Sequence, residues 1–313
     1  MIVTPALAAA NNGNWQTAQR WARMLRPHSR VRLAADWQAG DEDLMIALHA
    51  RRSALAVAAW RAATPRRPVA LVLTGTDLYR DIESDDAARR SLELADALVV
   101  LNDLGARRLP LQLRPICHVI LQSCGARAPL PRSRRQLQVL MVGHLREEKD
   151  PRTYFAAAHA LRARDDIRLD HVGAALDPAL GDEAHSLAAG QANYRWLGPL
   201  PHEATRRRIQ RADVLVHASR MEGGANVVVE AMRSGVPVLA SRIDGNLGLL
   251  GGDYTGTFEV GDAAALAALL LRCRTEAGLL ATLRGQLAER APLFAPEAER
   301  ARLLALVAGL LAR

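Results

Sequence analysis

Glu222 and Glu230 stand eight positions apart, and Gly223-Gly224 follow the first directly. A carboxylate accepts hydrogen bonds from paired hydroxyls, so two of them suit a ligand with two vicinal diols, such as a nucleotide sugar. Val214–Ala218 reads as a buried parallel strand, Asn226–Ser234 as a helix and Val236–Ala240 as the next strand. With no Cβ at two positions, the amides of Gly223, Gly224, Ala225 and Asn226 are expected to form a socket for phosphate or sugar oxygens. In isolation the same letters would serve a glycine turn capped by a glutamate. The strand–turn–helix setting points to a site.

A second cluster follows the strand Leu137–Val142: Gly143, His144, Arg146 and Lys149, ahead of a helix opened by Pro151. A glycine turn, two cations and an imidazole at a strand end can hold a diphosphate. Lys149 is the only lysine of the chain, against 40 arginines. A retained lysine marks a place where a compact point charge serves and a planar fork does not. Pairing of Arg146 and Lys149 with Glu147 and Glu148 on a solvated loop is the plainer alternative.

Three further polar loops end strands of the first half. Gly13-Asn14 opens a helix; His49, Arg51, Arg52 and Ser53 combine two guanidinium groups with a helix N-cap; Thr74, Gly75, Thr76 and Asp77 supply hydroxyls and a carboxylate. Any one of them reads as a capped connection. Together they form a polar edge on which the Arg51-Arg52 pair would suit a phosphate or a phosphate analogue.

The elements that must position these residues alternate. In the first half the expected strands are Ile2–Thr4, Val31–Ala34, Leu44–Leu48, Val69–Leu73, Ala97–Leu101 and His118–Leu121, with helices at Asn14–Leu25, Ser53–Ala63 and Ser84–Ala95. A Pro- and Arg-rich stretch, 125–135, reads as a linker. The pattern then restarts, with strands also at Ile167–Val172 and Tyr194–Leu197, helices at Pro151–Arg162, Asp177–Ala189 and His202–Gln210, and a helical tail that ends in Pro296–Leu311. This is an α/β chain with two doubly wound Rossmann-like domains, at 1–130 and 131–295. Sheets of this kind bind ligands at their strand C-termini, here facing a central cleft.

Bulk properties narrow the class. The chain has 313 residues, half of them hydrophobic but only 4% aromatic, so its cores are aliphatic. The net charge of +8 arises in residues 1–135, where 20 arginines face 12 acids, and fits an anionic substrate. No apolar run reaches membrane-spanning length and the start shows no signal peptide, so no membrane partner and a cytoplasmic setting are expected. Cys117, Cys124 and Cys273 lack metal-ligand spacing and read as reduced, buried thiols. Asp41-Glu42-Asp43 precedes its strand and so lies at the wrong edge to bind metal. No metal and no cofactor are expected. His171, His185 and His202 read as ordinary surface or capped histidines. Few aromatics are available for stacking on bases, so a nucleic-acid partner is not expected.

With these residues set out, the chain resembles a GT-B glycosyltransferase of the large retaining family 4 type. Glu222-Gly-Gly…Glu230 resembles that family's E-x7-E segment, and Gly143-His-Leu…Lys149 its phosphate loop, with His144 where arginine is usual. The strings His49-Ala-Arg-Arg-Ser53, Leu73-Thr-Gly-Thr-Asp-Leu-Tyr-Arg-Asp81, Ser219-Arg-Met-Glu-Gly-Gly-Ala-Asn-Val227 and Ala240-Ser-Arg-Ile-Asp-Gly-Asn246 are more particular. They look like those of the selenosugar synthases of selenoneine biosynthesis, and the likeness runs through nearly the whole chain.

The resemblance implies a transferase joining selenophosphate to the sugar of a UDP-N-acetylhexosamine, with release of UDP and phosphate. It implies Glu230 on the ribose, Glu222 and the Gly223–Asn226 backbone on the sugar, and Lys149 and Arg146 on the departing diphosphate. Selenophosphate would meet Gly13, His49, Arg51, Arg52 and Thr76. It further implies that the last helix packs back on the first domain. A family 4 transferase with another acceptor, a nucleotide-sugar epimerase and a basic nucleic-acid-binding protein remain the alternatives.

Overall fold

The computed structural model describes residues 1–5, 13–132 and 135–312. Its chain forms two compact units: Met1–Ser123 with Glu222–Asn226 and Leu293–Arg313, and Cys124–Met221 with Val227–Pro292.

The first unit holds β1 (Ile2–Val3), β2 (Leu33–Ala34), β3 (Met45–Leu48), β4 (Val69–Leu73), β5 (Ala97–Val100) and β6 (Cys117–Val119). All pairs are parallel, in the order β2-β1-β3-β4-β5-β6. β3, β4 and β5 are buried along their whole length, as continuous aliphatic runs of a sheet covered on both faces must be. One face packs Trp60 of α2 (Ala54–Ala63) edge-on against Trp37, centroids 5.2 Å apart. The other packs Trp21 of α1 (Gly13–Leu25) with Leu303, Leu306 and Leu310 of the Pro296–Leu311 helix.

That last helix is also pinned by a buried charge. Glu299, 1% exposed, accepts from Arg20 Nε at 2.8 Å, from Trp21 Nε1 at 2.6 Å and from the Ser123 amide at 2.9 Å. A buried carboxylate is tolerated because each lone pair finds a donor.

The second unit holds β7 (Leu137–Val142), β8 (Ile167–Val172), β9 (Tyr194–Trp196), β10 (Val214–His217), β11 (Val238–Ser241) and β12 (Thr257–Phe258). These are again all parallel, in the order β12-β11-β10-β7-β8-β9. Within the stretch read as a linker, residues 127 and 130 bond to this unit: Arg127 N–H donates to the Arg233 carbonyl, Leu130 N–H donates to that of Gln210, and the Arg127 guanidinium grips Glu203.

Both orders contain a switch point, where successive crossovers leave in opposite directions and ligands of such sheets bind. In the first unit it falls between β1 and β3, the strands after which α1 and the His49–Ser53 turn come in the chain. In the second it falls between β7 and β10, which brings together the loop that starts at Gly143 and the loop that ends at Met221.

Candidate functional site

In the second unit, the turn after β7 is anchored from below. His171, fully buried on β8, sets Nε2 3.1 Å from the Gly143 carbonyl and Nδ1 3.2 Å from the Tyr194 hydroxyl. Since a carbonyl only accepts, Nε2 carries the proton and the ring is neutral. Burial pushes its pKa down to about 4. Reading His171 as a surface or capped histidine was therefore wrong: it is an interior prop of the phosphate-loop candidate. Gly173 completes the support, because a Cβ there would lie 1.9 Å from the Gly143 oxygen.

Above that prop the loop is tight. Lys149 N–H returns to the Arg146 carbonyl and Asp150 N–H to that of Glu147, each at 3.0 Å. Asp150 is left-handed, at φ 47°, and its carboxylate accepts from Thr153 Oγ1 at 2.8 Å. Arg220 ties the β10 loop to it: its amide donates to the Glu148 carbonyl at 2.9 Å, and its guanidinium lies 3.4 Å from Asp150. Lys149 is half-buried, with its aliphatic stem laid beside Gly143. His144 Nδ1 accepts from the Ala174 amide at 3.1 Å, which leaves Nε2–H as a donor. Burial, then the charges of Arg146 and Lys149, hold the His144 pKa below its ordinary value. Arg146 faces Glu148 only loosely, at 3.9 Å.

Glu230 lies on the short helix Asn226–Met232 and is 7% exposed. Its Oε1 meets His202 Nε2 at 2.8 Å and Arg206 Nη1 at 3.6 Å. Both partners stand on the His202–Arg211 helix, one turn apart, so one face of it serves the carboxylate. Sequence reading missed both. Their i, i+4 spacing was visible, but their target was not.

The segment Glu222–Asn226 counts with the first unit, and it corrects the open-socket expectation. A Cβ on Gly223 would lie 2.4 Å from the Thr74 carbonyl carbon and 2.6 Å from the Gly75 nitrogen; one on Gly224 would lie 2.8 Å from Leu101 Cβ. The glycines are thus needed for close approach to protein backbone and side chains. Asn102 Nδ2 secures the segment by donating to the Gly223 carbonyl at 2.7 Å. Glu222 is half-buried, Ala225 buried, and Asn226 Oδ1 lies 3.5 Å from Arg20 Nη1. Gly13 is exposed at the start of α1 and Asn14 is half-buried beside it.

The remaining first-unit candidates form a knot around a strained histidine. His49 has φ 76° and is 3% exposed; its Nε2 lies 3.1 Å from Thr76 Oγ1. A side chain with a Cβ is held this way only where the surroundings enforce it. Asp77 is the enforcer. Fully buried, it accepts from the amides of Ala50 (2.9 Å), Thr74 (2.9 Å) and Gly75 (2.8 Å). Its lone pairs are spent on the chain, so the reading of Asp77 as a ligand contact is corrected to a backbone staple. Burial, its first cause, holds the His49 pKa below the ordinary value against the pull of Asp77.

Ser53 is corrected likewise: it makes no cap hydrogen bond, and its hydroxyl donates to the Leu48 carbonyl at 2.7 Å. Its own amide and that of Arg52 are satisfied by His49 O and Nδ1. Arg51 bonds Asp85 at 2.9 Å and lies 4.0 Å from Asp81, so carboxylates already offset part of its charge. Arg52 is exposed, and Thr74 and Thr76 are half-buried. Asp81, 3% exposed and 3.9 Å from His49 Nε2, closes a π-helical turn, Asp77–Asp81, which sequence periodicity did not reveal. Among the described residues, no group of three or more His, Cys, Asp or Glu side chains could hold a metal ion. No helix among them is long and apolar enough to cross a membrane.

The fold has close relatives among solved structures. HepE of Anabaena, crystallised in complex with UDP and glucose, superposes with a TM-score of 0.71 at 18% identity, over 85% of this chain and 78% of that one. Sucrose-phosphate synthase of Thermosynechococcus elongatus gives 0.69 at 19% identity, over 86% and 74%. At such identity these likenesses speak for the GT-B fold alone. Glycosyltransferase 1 domain-containing protein 1 of Xenopus tropicalis is 26% identical over 216 residues, 61% of this chain and 61% of that relative's own length. The glycosyl transferases group 1 profile matches residues 126–291, which takes in the loop from Gly143 to Lys149, Glu222, Glu230 and the His202–Arg206 pair. The chain belongs to the glycosyl transferases group 1 family.

Proposed function

We propose that this protein is a glycosyltransferase that uses a UDP-N-acetylhexosamine as donor and selenophosphate as acceptor, forming a selenosugar with release of UDP and phosphate. One observation carries the donor half: at the switch point of the second sheet, the only lysine stands on a glycine turn propped by a buried histidine, in a unit that also holds the nearly buried Glu230. Lys149 and Arg146 would neutralise charge gathering on the departing diphosphate, and His144 Nε2–H would add a neutral donor. Fixed groups of this kind lower a barrier because they need no reorganisation as charge develops. Glu230 would take the ribose hydroxyls.

The acceptor half rests on the particular strings at His49–Ser53, Leu73–Asp81 and Ser219–Val227. Selenium would attack the anomeric carbon as the bond to the diphosphate oxygen breaks. Water would then cleave the selenium–phosphorus bond, giving selenol and phosphate. Gly13, Asn14, Arg52, Thr74 and Thr76 would form the contact set, with His49 behind Thr76.

A second reading draws support from the carboxylates. Asp77, Asp81 and Asp85 crowd the His49–Arg51 corner and favour a neutral hydroxyl acceptor over a highly charged one. Mass spectrometry separates the two. UDP-N-acetylglucosamine and selenophosphate incubated with the protein should yield a selenium-bearing N-acetylhexosamine. UDP release with no such product, restored by a sugar or alcohol acceptor, would favour the second.

A further inference from the structure

Glu230 is not presented symmetrically. The two cationic or N–H donors recorded on it, His202 Nε2 at 2.8 Å and Arg206 Nη1 at 3.6 Å, both address Oε1. His202 hydrogen-bonds Oε1 and Arg206 approaches the same oxygen as an ion-pair partner, so the protein's cations gather on Oε1 and Oε2 is the oxygen left to address a ligand. Arg206 is held deep, with its side chain 4% exposed, and a further bond runs from Nη2 to the Gly125 carbonyl at 3.3 Å. His202 is different: its side chain is 54% exposed and stands at the first turn of its helix, where removal opens no cavity.

We propose that His202 is a positioning residue for a nucleotide's ribose. Its Nε2–H fixes the rotation of the Glu230 carboxylate, so that Oε2 meets the vicinal hydroxyls already aligned. The inference rests on the donor reading above, in which Glu230 takes the ribose. Without His202 the carboxylate swings about its last torsion, and each bound diol must order it again. Removing His202 thus weakens only ligands that carry the diol.

The test compares UDP with 2′,3′-dideoxy-UDP by titration calorimetry on the wild-type protein, His202→Ala and His202→Gln. A diol on a fixed carboxylate should make UDP bind about tenfold tighter than the dideoxy compound in the wild type. His202→Ala should shrink that ratio to about twofold by weakening UDP alone, and His202→Gln, which keeps an N–H donor, should restore part of it. An equal loss on both ligands, or an unchanged ratio in His202→Ala, overturns the positioning role. A wild type that does not distinguish the two ligands removes the Glu230–ribose reading itself, and this inference with it.

Discussion

His171 Nε2 lies 3.1 Å from the Gly143 carbonyl, directly beneath the loop that carries His144, Arg146 and Lys149. The ring is buried and neutral, and its pKa falls from the ordinary 6.5 to about 4. Between those values the unfolded chain binds a proton that the native chain does not. Stability is therefore complete above pH 6.5 and falls as pH drops towards 4. This one group contributes up to about 3 kcal/mol to the loss. Urea unfolding midpoints measured from pH 7.5 to 4 should show the slope, and His171→Gln should flatten it. His144 and His49 shift in the same direction, so part of the slope should survive the substitution.

Gly223→Ala should destabilise the fold. Its Cβ meets backbone atoms of Thr74 and Gly75 at 2.4–2.6 Å, and backbone cannot step aside as a side-chain tip can. A loss of about 1–3 kcal/mol is expected, with activity falling alongside. Gly125→Ala, where nothing lies within 4 Å, is the matched control and should stay within about 0.5 kcal/mol of wild type in thermal melts.

Asp77→Asn should be worse tolerated than its small size suggests. One carboxylate oxygen becomes an NH2 that faces amide donors of Ala50, Thr74 or Gly75. A buried donor set against donors costs about 2–4 kcal/mol. Denaturant titration should register that loss, and freeing His49 from φ 76° should appear as new mobility of its ring signals in NMR.

Lys149→Ala should leave melting behaviour close to wild type, since the side chain is only half-buried. Turnover of a UDP-sugar should fall about 100-fold or more, as when a preorganised charge is withdrawn from a developing anion. Lys149→Arg should recover little, because a planar fork does not reproduce a point charge on this turn. Near-normal turnover in Lys149→Ala would take the diphosphate role away from this residue.

Much of the scaffold was legible because it rests on local pattern. Aliphatic runs such as Val69–Leu73 and Leu137–Val142 begin and end where the strands do, and Pro151 and Pro296 open their helices as a ring-fixed φ allows. The short helix Asp244–Leu250, the strand Thr257–Phe258 and the π-helical turn at Asp77–Asp81 were not legible. Two are only a few residues long, and the third has no period of its own in sequence.

The candidate site divided along the same line. Loops at strand ends could be found from spacing alone. What each polar group does could not, because that depends on partners distant in the chain. Asp77 and Ser53 looked like ligand contacts and serve backbone; His202 and His171 looked ordinary and stand against Glu230 and Gly143. The glycines at 223 and 224 were read as an open socket, and what they permit is a close approach to neighbouring backbone and side chains.

The most direct measurement is a crystal structure with UDP bound. The expected result is a diphosphate lying against the Gly143–Lys149 turn, within reach of Lys149 Nζ and His144 Nε2, and a ribose on Glu230. Density for UDP elsewhere, or none at saturating concentration with that turn vacant, would contradict the assignment of the second unit as the nucleotide-sugar-binding part.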